Sequence, residues 1–121
     1  MCRQYPGPTP SILIVDDDPR VADVLMEFLK DEGFIVRTEG NGRSALHAIE
    51  QHQPDVVLAD MRMPMMDGLA LLKEISDRWQ SIDVIMMSAT ESPAGLEVPF
   101  IQKPFDLEDV LSAICDPDHF H

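Results

Sequence analysis

Val56-Val57-Leu58-Ala59-Asp60 closes four consecutive apolar residues on a carboxylate. An apolar run this short, with no polar alternation, suits a strand that is covered on both faces of a sheet. Three other segments repeat the form. Ile12-Leu13-Ile14-Val15 leads into Asp16-Asp17, Val84-Ile85-Met86-Met87 into Ser88, and Phe100-Ile101-Gln102 into Lys103-Pro104. Parallel strands present their carboxyl ends along one edge, so Asp16, Asp17, Asp60, Ser88 and Lys103 are expected to meet in one crevice.

The segments between these runs have helical spacing. Val21, Val24, Leu25, Phe28 and Leu29 recur every three or four residues between Pro19 and Glu32, with Pro19 suited to open a helix and Gly33 to stop it. Asp18 is its expected cap. A short strand is predicted at Phe34–Thr38, then a Gly40-Asn41-Gly42 turn and a helix carrying Ala45, Leu46, Ala48 and Ile49 that ends before Pro54. Leu69, Leu72, Ile75 and Trp79 mark a helix after Asp67-Gly68, reaching about Gln80. Leu107, Val110, Leu111 and Ile114 mark the last one, with Asp106 as its cap and an end near Cys115. Strand and helix therefore alternate, which predicts an α/β fold: a five-stranded parallel sheet with helices on both faces. One crossover departs from the pattern. Residues 89–99 contain Pro93, Gly95 and Pro99, so the fourth helix of the alternation is expected to be short or missing.

Length and composition narrow the possibilities further. With 121 residues the chain fits one domain, read as a disordered leader at 1–10, a folded domain at 11–115 and a tail at 116–121. Acidic residues outnumber Lys and Arg by 22 to 9, a formal charge of -13 that disfavours direct contact with a nucleic-acid backbone. No apolar run is long enough for a membrane span, and the start lacks a signal peptide, so a cytoplasmic location is expected. Cys2 and Cys115 lack the paired spacing of a metal site or a disulfide framework and are expected to be free thiols.

Alone, each polar strand end has an ordinary explanation: an acidic pair caps a helix, a serine bonds nearby backbone, a lysine is solvated. Together they make a reaction site. Three carboxylates in one crevice repel, and a hard cation with oxygen ligands and water relieves that repulsion, so Asp16, Asp17 and Asp60 predict a Mg²⁺ site in which Mn²⁺ can substitute. Asp60 is placed to attack phosphorus and form an acyl phosphate. Lys103 would hold a phosphoryl oxygen and Ser88 would donate its hydroxyl.

Ile14-Val15-Asp16-Asp17, Asp60 followed by Met63-Pro64 and Asp67-Gly68, Ser88-Ala89, and Lys103-Pro104-Phe105 occur in this order. In this combination the chain resembles the receiver domain of two-component response regulators and is similar to the single-domain chemotaxis members, over about Ser11 to Cys115. The resemblance implies a flavodoxin-like sheet of order 2-1-3-4-5. It implies that Asp60 is the phosphoacceptor, that Asp17 binds Mg²⁺ directly and Asp16 mostly through water, and that Arg62 lends its backbone carbonyl. It makes Ser88 and Lys103 the conserved hydroxyl and lysine, Phe100 the aromatic that turns inward with Ser88, and Lys103-Pro104 a cis peptide bond. The implied partners are a sensor histidine kinase or histidine phosphotransfer protein and a downstream protein target, with the domain a monomer or weak dimer. It would promote only its own phosphorylation and dephosphorylation and so would not be an enzyme with a diffusible product. The short crossover departs from the family, and output is expected through the remaining loop, the last helix or the first helix.

Two other functions fit parts of the sequence. One is an aspartyl-phosphate hydrolase, suggested by Asp16-Asp17-Asp18 but lacking room for a cap domain; the other is a protein-binding module that never takes phosphate. No effector motif follows Cys115, which suits a stand-alone regulator or a segment of a hybrid kinase. His47, His52, His119 and His121 are assigned no role. Met61, Met63, Met65 and Met66 read equally as partner contacts or packing, and Trp79 as core or rim of its helix.

Overall fold

Strands β1 (Ser11–Val15), β2 (Ile35–Glu39), β3 (Val56–Asp60), β4 (Asp83–Ser88) and β5 (Phe100–Gln102) form one parallel sheet in the order β2-β1-β3-β4-β5. The structure is a computed structural model that describes residues 9–63 and 65–116. Helices α1 (Pro19–Asp31), α2 (Gly42–Gln51), α3 (Gly68–Arg78) and α4 (Leu107–Cys115) cover the sheet. This is the flavodoxin-like arrangement expected from the sequence. The ends of the predicted elements move by one or two residues: β2 begins at Ile35 rather than Phe34, and α3 stops at Arg78.

The two-residue period of the strands sorts the core into two layers. Ile12, Ile14, Val56, Leu58, Ile85, Met87 and Ile101 pack beneath α1 and α4, against Leu25, Leu29, Val110 and Ile114. Leu13, Val15, Val57, Ala59, Val84 and Met86 pack beneath α2 and α3, against Ala45, Ile49, Leu71 and Ile75. The central β3 is buried throughout, which is why its sequence shows no polar alternation.

Side chains set the helix starts. Asp18, Asn41 and Asp67 accept from the backbone N–H groups of Arg20, Ser44 and Ala70 at 3.0, 2.8 and 2.9 Å. Asp106 stands at the start of α4 as predicted, but its carboxylate makes no capping hydrogen bond. Gly33, at φ +100°, ends α1 in a conformation that a residue with a Cβ rarely adopts.

The crossover after β4 has no helix among the described residues. Pro93 to Leu96 makes a turn, with the Leu96 N–H donating to the Pro93 carbonyl at 3.3 Å, and Leu96 and Val98 pack on the α2–α3 side of the sheet. The prolines that break helical hydrogen bonding account for this.

One expectation is corrected. Cys115 is not a free thiol; it is disulfide-bonded, and no described cysteine is free. Pairing depends on proximity in space, and the entropy of closing a loop grows only slowly with its length, so distance along the chain is a poor guide. The expectation for Cys2 lies outside the described residues, as do most of the leader and tail. Of the leader, Pro10 is buried and its carbonyl accepts from the Ile35 N–H at 3.0 Å. No described helix is long and apolar enough to cross a membrane.

Candidate phosphoacceptor site

The sheet ladder fixes each polar strand end. The Asp16 N–H donates to the Glu39 carbonyl at 3.1 Å, Met61 N–H to Met87 at 2.9 Å, and Lys103 N–H to Ser88 at 2.7 Å. These bonds continue β1, β3 and β5 past their assigned ends. Asp16, Asp60 and Lys103 therefore extend the alternation of Ile14, Leu58 and Ile101, all of which belong to the layer beneath α1 and α4.

Three carboxylates converge as the sequence predicted. Asp16, Asp17 and Asp60 each offer an oxygen, and these oxygens lie within 4.8 Å of one another. Asp16 and Asp60 are 3% and 7% exposed, whereas Asp17 faces solvent, so the cluster is buried on one side and open on the other. Lys103 Nζ reaches Asp16 Oδ2 at 3.1 Å and Asp60 Oδ2 at 3.5 Å. The second oxygen of Asp16 accepts from the Asp18 N–H at 2.9 Å, and Asp60 Oδ1 from the Arg62 N–H at 3.4 Å. With all three acids ionised, one ammonium leaves two negative charges unbalanced, the charge of one divalent cation. All-oxygen donors open to water suit a hard ion of the Mg²⁺ type. The cluster can hold a metal ion.

Electrostatics sets Asp60 apart. Burial pushes its carboxyl above the ordinary carboxylate range; the Lys103 charge pulls it back, and the Asp16 charge adds to the rise. Burial works to lower the Lys103 pKa, but its hydrogen bond to Asp16 and the charges of Asp16 and Asp60 outweigh that and carry it upward. The amine is thus held as a cation.

Ser88 is 1% exposed beside this cluster, at the end of β4, and its hydroxyl bonds to Thr90. Phe100 is half-buried against the α2–α3 layer. Arg62 is exposed and, with Asp17, Met61, Met63 and Asp67, lines a depression of about 580 Å³. Lys103-Pro104 is cis. Met61, Met63 and Met66 pack against the core, while Met65 is 70% exposed. Trp79 is half-buried on the rim, with the Arg78 guanidinium 4.3 Å from its ring centre.

Gly68 matters more than its turn motif suggested. A Cβ there would lie 2.5 Å from the Asp60 carbonyl oxygen and 2.7 Å from Met61 Cα, so only glycine lets α3 start this close to the end of β3. The Gly68 N–H donates to the Met61 carbonyl at 2.9 Å and closes the loop. Thr90 had no sequence signal beyond following Ser88-Ala89.

The sequence profile described as the response regulator receiver domain matches residues 12–115. The chain belongs to the response regulator receiver domains. It is 36% identical over 110 residues to the DNA-binding transcriptional regulator NtrC of Escherichia coli, covering 85% of this chain and 24% of that protein. It is 40% identical over 106 residues to the E. coli regulatory protein AtoC, covering 82% and 23%. The receiver thus spans about a quarter of the length of these regulators. Among solved structures, the Vibrio cholerae chemotaxis response regulator CheY4 aligns with a TM-score of 0.81 at 25% identity, covering 88% of this chain and 96% of that one. Response regulator TrrA of Thermotoga maritima, solved in complex with Mg²⁺ and BeF, also aligns with a TM-score of 0.81, at 27% identity and the same coverage.

Proposed function

We propose that this receiver domain takes a phosphoryl group onto Asp60 from the phosphohistidine of a sensor kinase or phosphotransfer protein, and that the modified form binds a downstream protein differently. The observation that carries this reading is the cluster of Asp16, Asp17 and Asp60 oxygens within 4.8 Å, bridged by Lys103. A carboxylate oxygen of Asp60 attacks phosphorus, the O–P bond forms as the P–N bond to histidine breaks, and the imidazole leaves with its electron pair and takes up a proton. Asp16, Asp17, Asp60 and the Arg62 carbonyl would hold Mg²⁺, or Mn²⁺ in its place. The bound ion neutralises charge on the phosphoryl oxygens. Lys103 keeps Asp60 charge-balanced before transfer and holds a phosphoryl oxygen afterwards. Ser88 and Phe100 serve as the switch, the first by donating to the phosphoryl group and the second by following it inward.

The TrrA complex with Mg²⁺ and BeF supports the same chemistry in a structural relative. In this reading the domain is no enzyme, because the phosphoryl group ends on its own side chain. It acts in the cytoplasm as a monomer or weak dimer, and its strongly acidic surface directs it to protein rather than nucleic acid. Incubation with acetyl phosphate and Mg²⁺ should add one phosphoryl group to the wild-type chain and none to Asp60→Asn. Equal labelling of both would place the nucleophile elsewhere.

A further inference from the structure

Ser88 and Asp60 sit at neighbouring strand ends, yet the strand alternation separates them. Asp60 continues the series Val56 and Leu58 beneath α1 and α4, whereas Ser88 continues Val84 and Met86 beneath α2 and α3. The Ser88 hydroxyl is already engaged from the other direction. Thr90 Oγ1 lies 3.0 Å from Ser88 Oγ, and the Thr90 N–H donates to the same oxygen at 3.2 Å. Whichever hydroxyl donates, one residue of the crossover holds Ser88 twice. Because Ser88 continues the face turned away from Asp60, turning its hydroxyl toward a group on Asp60 draws it out of reach of Thr90, and giving up a hydrogen bond has a cost.

From these contacts we infer that Thr90 is a positioning residue, a latch that holds Ser88 in the resting arrangement and weakens the domain's affinity for a phosphoryl group until it lets go. This rests on Asp60 being the phosphoacceptor. Thr90 is exposed and opens the helix-free segment that runs through the Pro93–Leu96 turn. Release of Ser88 therefore acts directly on a chain segment with few backbone hydrogen bonds of its own, where opening is easiest. The latched state competes with the bound state, so apparent affinity falls by the fraction of molecules in which Ser88 is unavailable.

The test is titration of the intact chain with beryllofluoride in the presence of Mg²⁺, followed by backbone amide NMR. Thr90→Val removes the hydroxyl but keeps the branched shape and the N–H, and should bind about threefold to tenfold more tightly than wild type. Thr90→Ser keeps the hydroxyl and should restore wild-type affinity. A residue with only a structural role would weaken binding or leave it unchanged when lost. Thr90→Ala removes the same hydroxyl without a branched methyl and carries the test if valine disturbs the fold. In the wild type, protection of the Thr90 amide should fall on saturation. Unchanged or weaker binding by the hydroxyl-free variants, or unchanged Thr90 protection, overturns the latch while leaving Asp60 as acceptor. A wild-type chain that takes no beryllofluoride overturns both.

Discussion

The Lys103 ammonium lies 3.1 Å from Asp16 Oδ2, a contact between residues 87 positions apart, and only 3.5 Å from Asp60 Oδ2. One cation thus joins the ends of β1, β3 and β5. The Asp16 side chain has no solvent exposure and that of Lys103 is 22% exposed, so the pair is screened much less than a surface ion pair.

Removing that cation should be costly. Lys103→Met leaves three clustered carboxylates without a counter-charge and should lower metal-free stability by about 1–3 kcal/mol, less than a fully buried pair would lose because Lys103 touches water. Urea unfolding with and without Mg²⁺ checks this. Most of the loss should return when the ion is added, since it supplies the missing positive charge.

Asp60 gives a pH dependence of defined sign. Its folded pKa is raised, so between the ordinary carboxylate value and the raised one the native state holds the extra proton. Stability contributed by this group therefore falls as pH climbs through that window, and the deficit persists at neutral pH. Asp60→Asn should accordingly be more stable than metal-free wild type at neutral pH, by on the order of 1 kcal/mol, with the difference shrinking as pH drops below the window. Denaturation curves across the acid range measure it. Lys103, whose pKa is also raised, keeps its contribution through this range and loses it only as pH rises through that elevated value in alkaline solution.

Mg²⁺ should stabilise the folded chain by linkage. At ten times its dissociation constant the gain is about 1.4 kcal/mol, seen as an upward shift of the thermal midpoint. Asp17→Asn should remove most of that shift, because it takes one charged oxygen donor from the cluster, without harming the metal-free fold, because Asp17 is exposed.

Gly68→Ala tests the close approach of α3 to β3. The new methyl group would meet the Asp60 carbonyl oxygen and Met61 Cα, both backbone atoms that cannot swing away. A loss of about 1–3 kcal/mol is expected, together with slower labelling by acetyl phosphate, because relief of the clash must move the backbone that carries Asp60. Normal stability and normal labelling would show that the loop yields without disturbing the site.

Much of this molecule is legible along the chain. The uninterrupted apolar run of Val56 to Ala59 marks a strand covered on both faces, and β3 is that strand. The prolines and glycine of residues 89–99 forecast a crossover whose helix is short or missing, because proline removes a hydrogen-bond donor wherever it stands. Asp18 and Asp67 announce helix starts for an equally local reason. Cys115 went the other way. Nothing near it in the sequence reveals that it is disulfide-bonded.

The sequence by itself determined the alternation of strand and helix, the Asp18 cap, and which five polar residues close the strands, because hydrophobic period, capping and turn chemistry act over a few neighbouring residues. Only the tertiary structure decided that Lys103 shares its charge between Asp16 and Asp60, that Gly68 must lack a side chain, and that the Ser88 hydroxyl bonds to Thr90. Those facts depend on distances of a few ångströms between strand ends and the loops beside them, which are fixed when the two layers of side chains pack against the sheet.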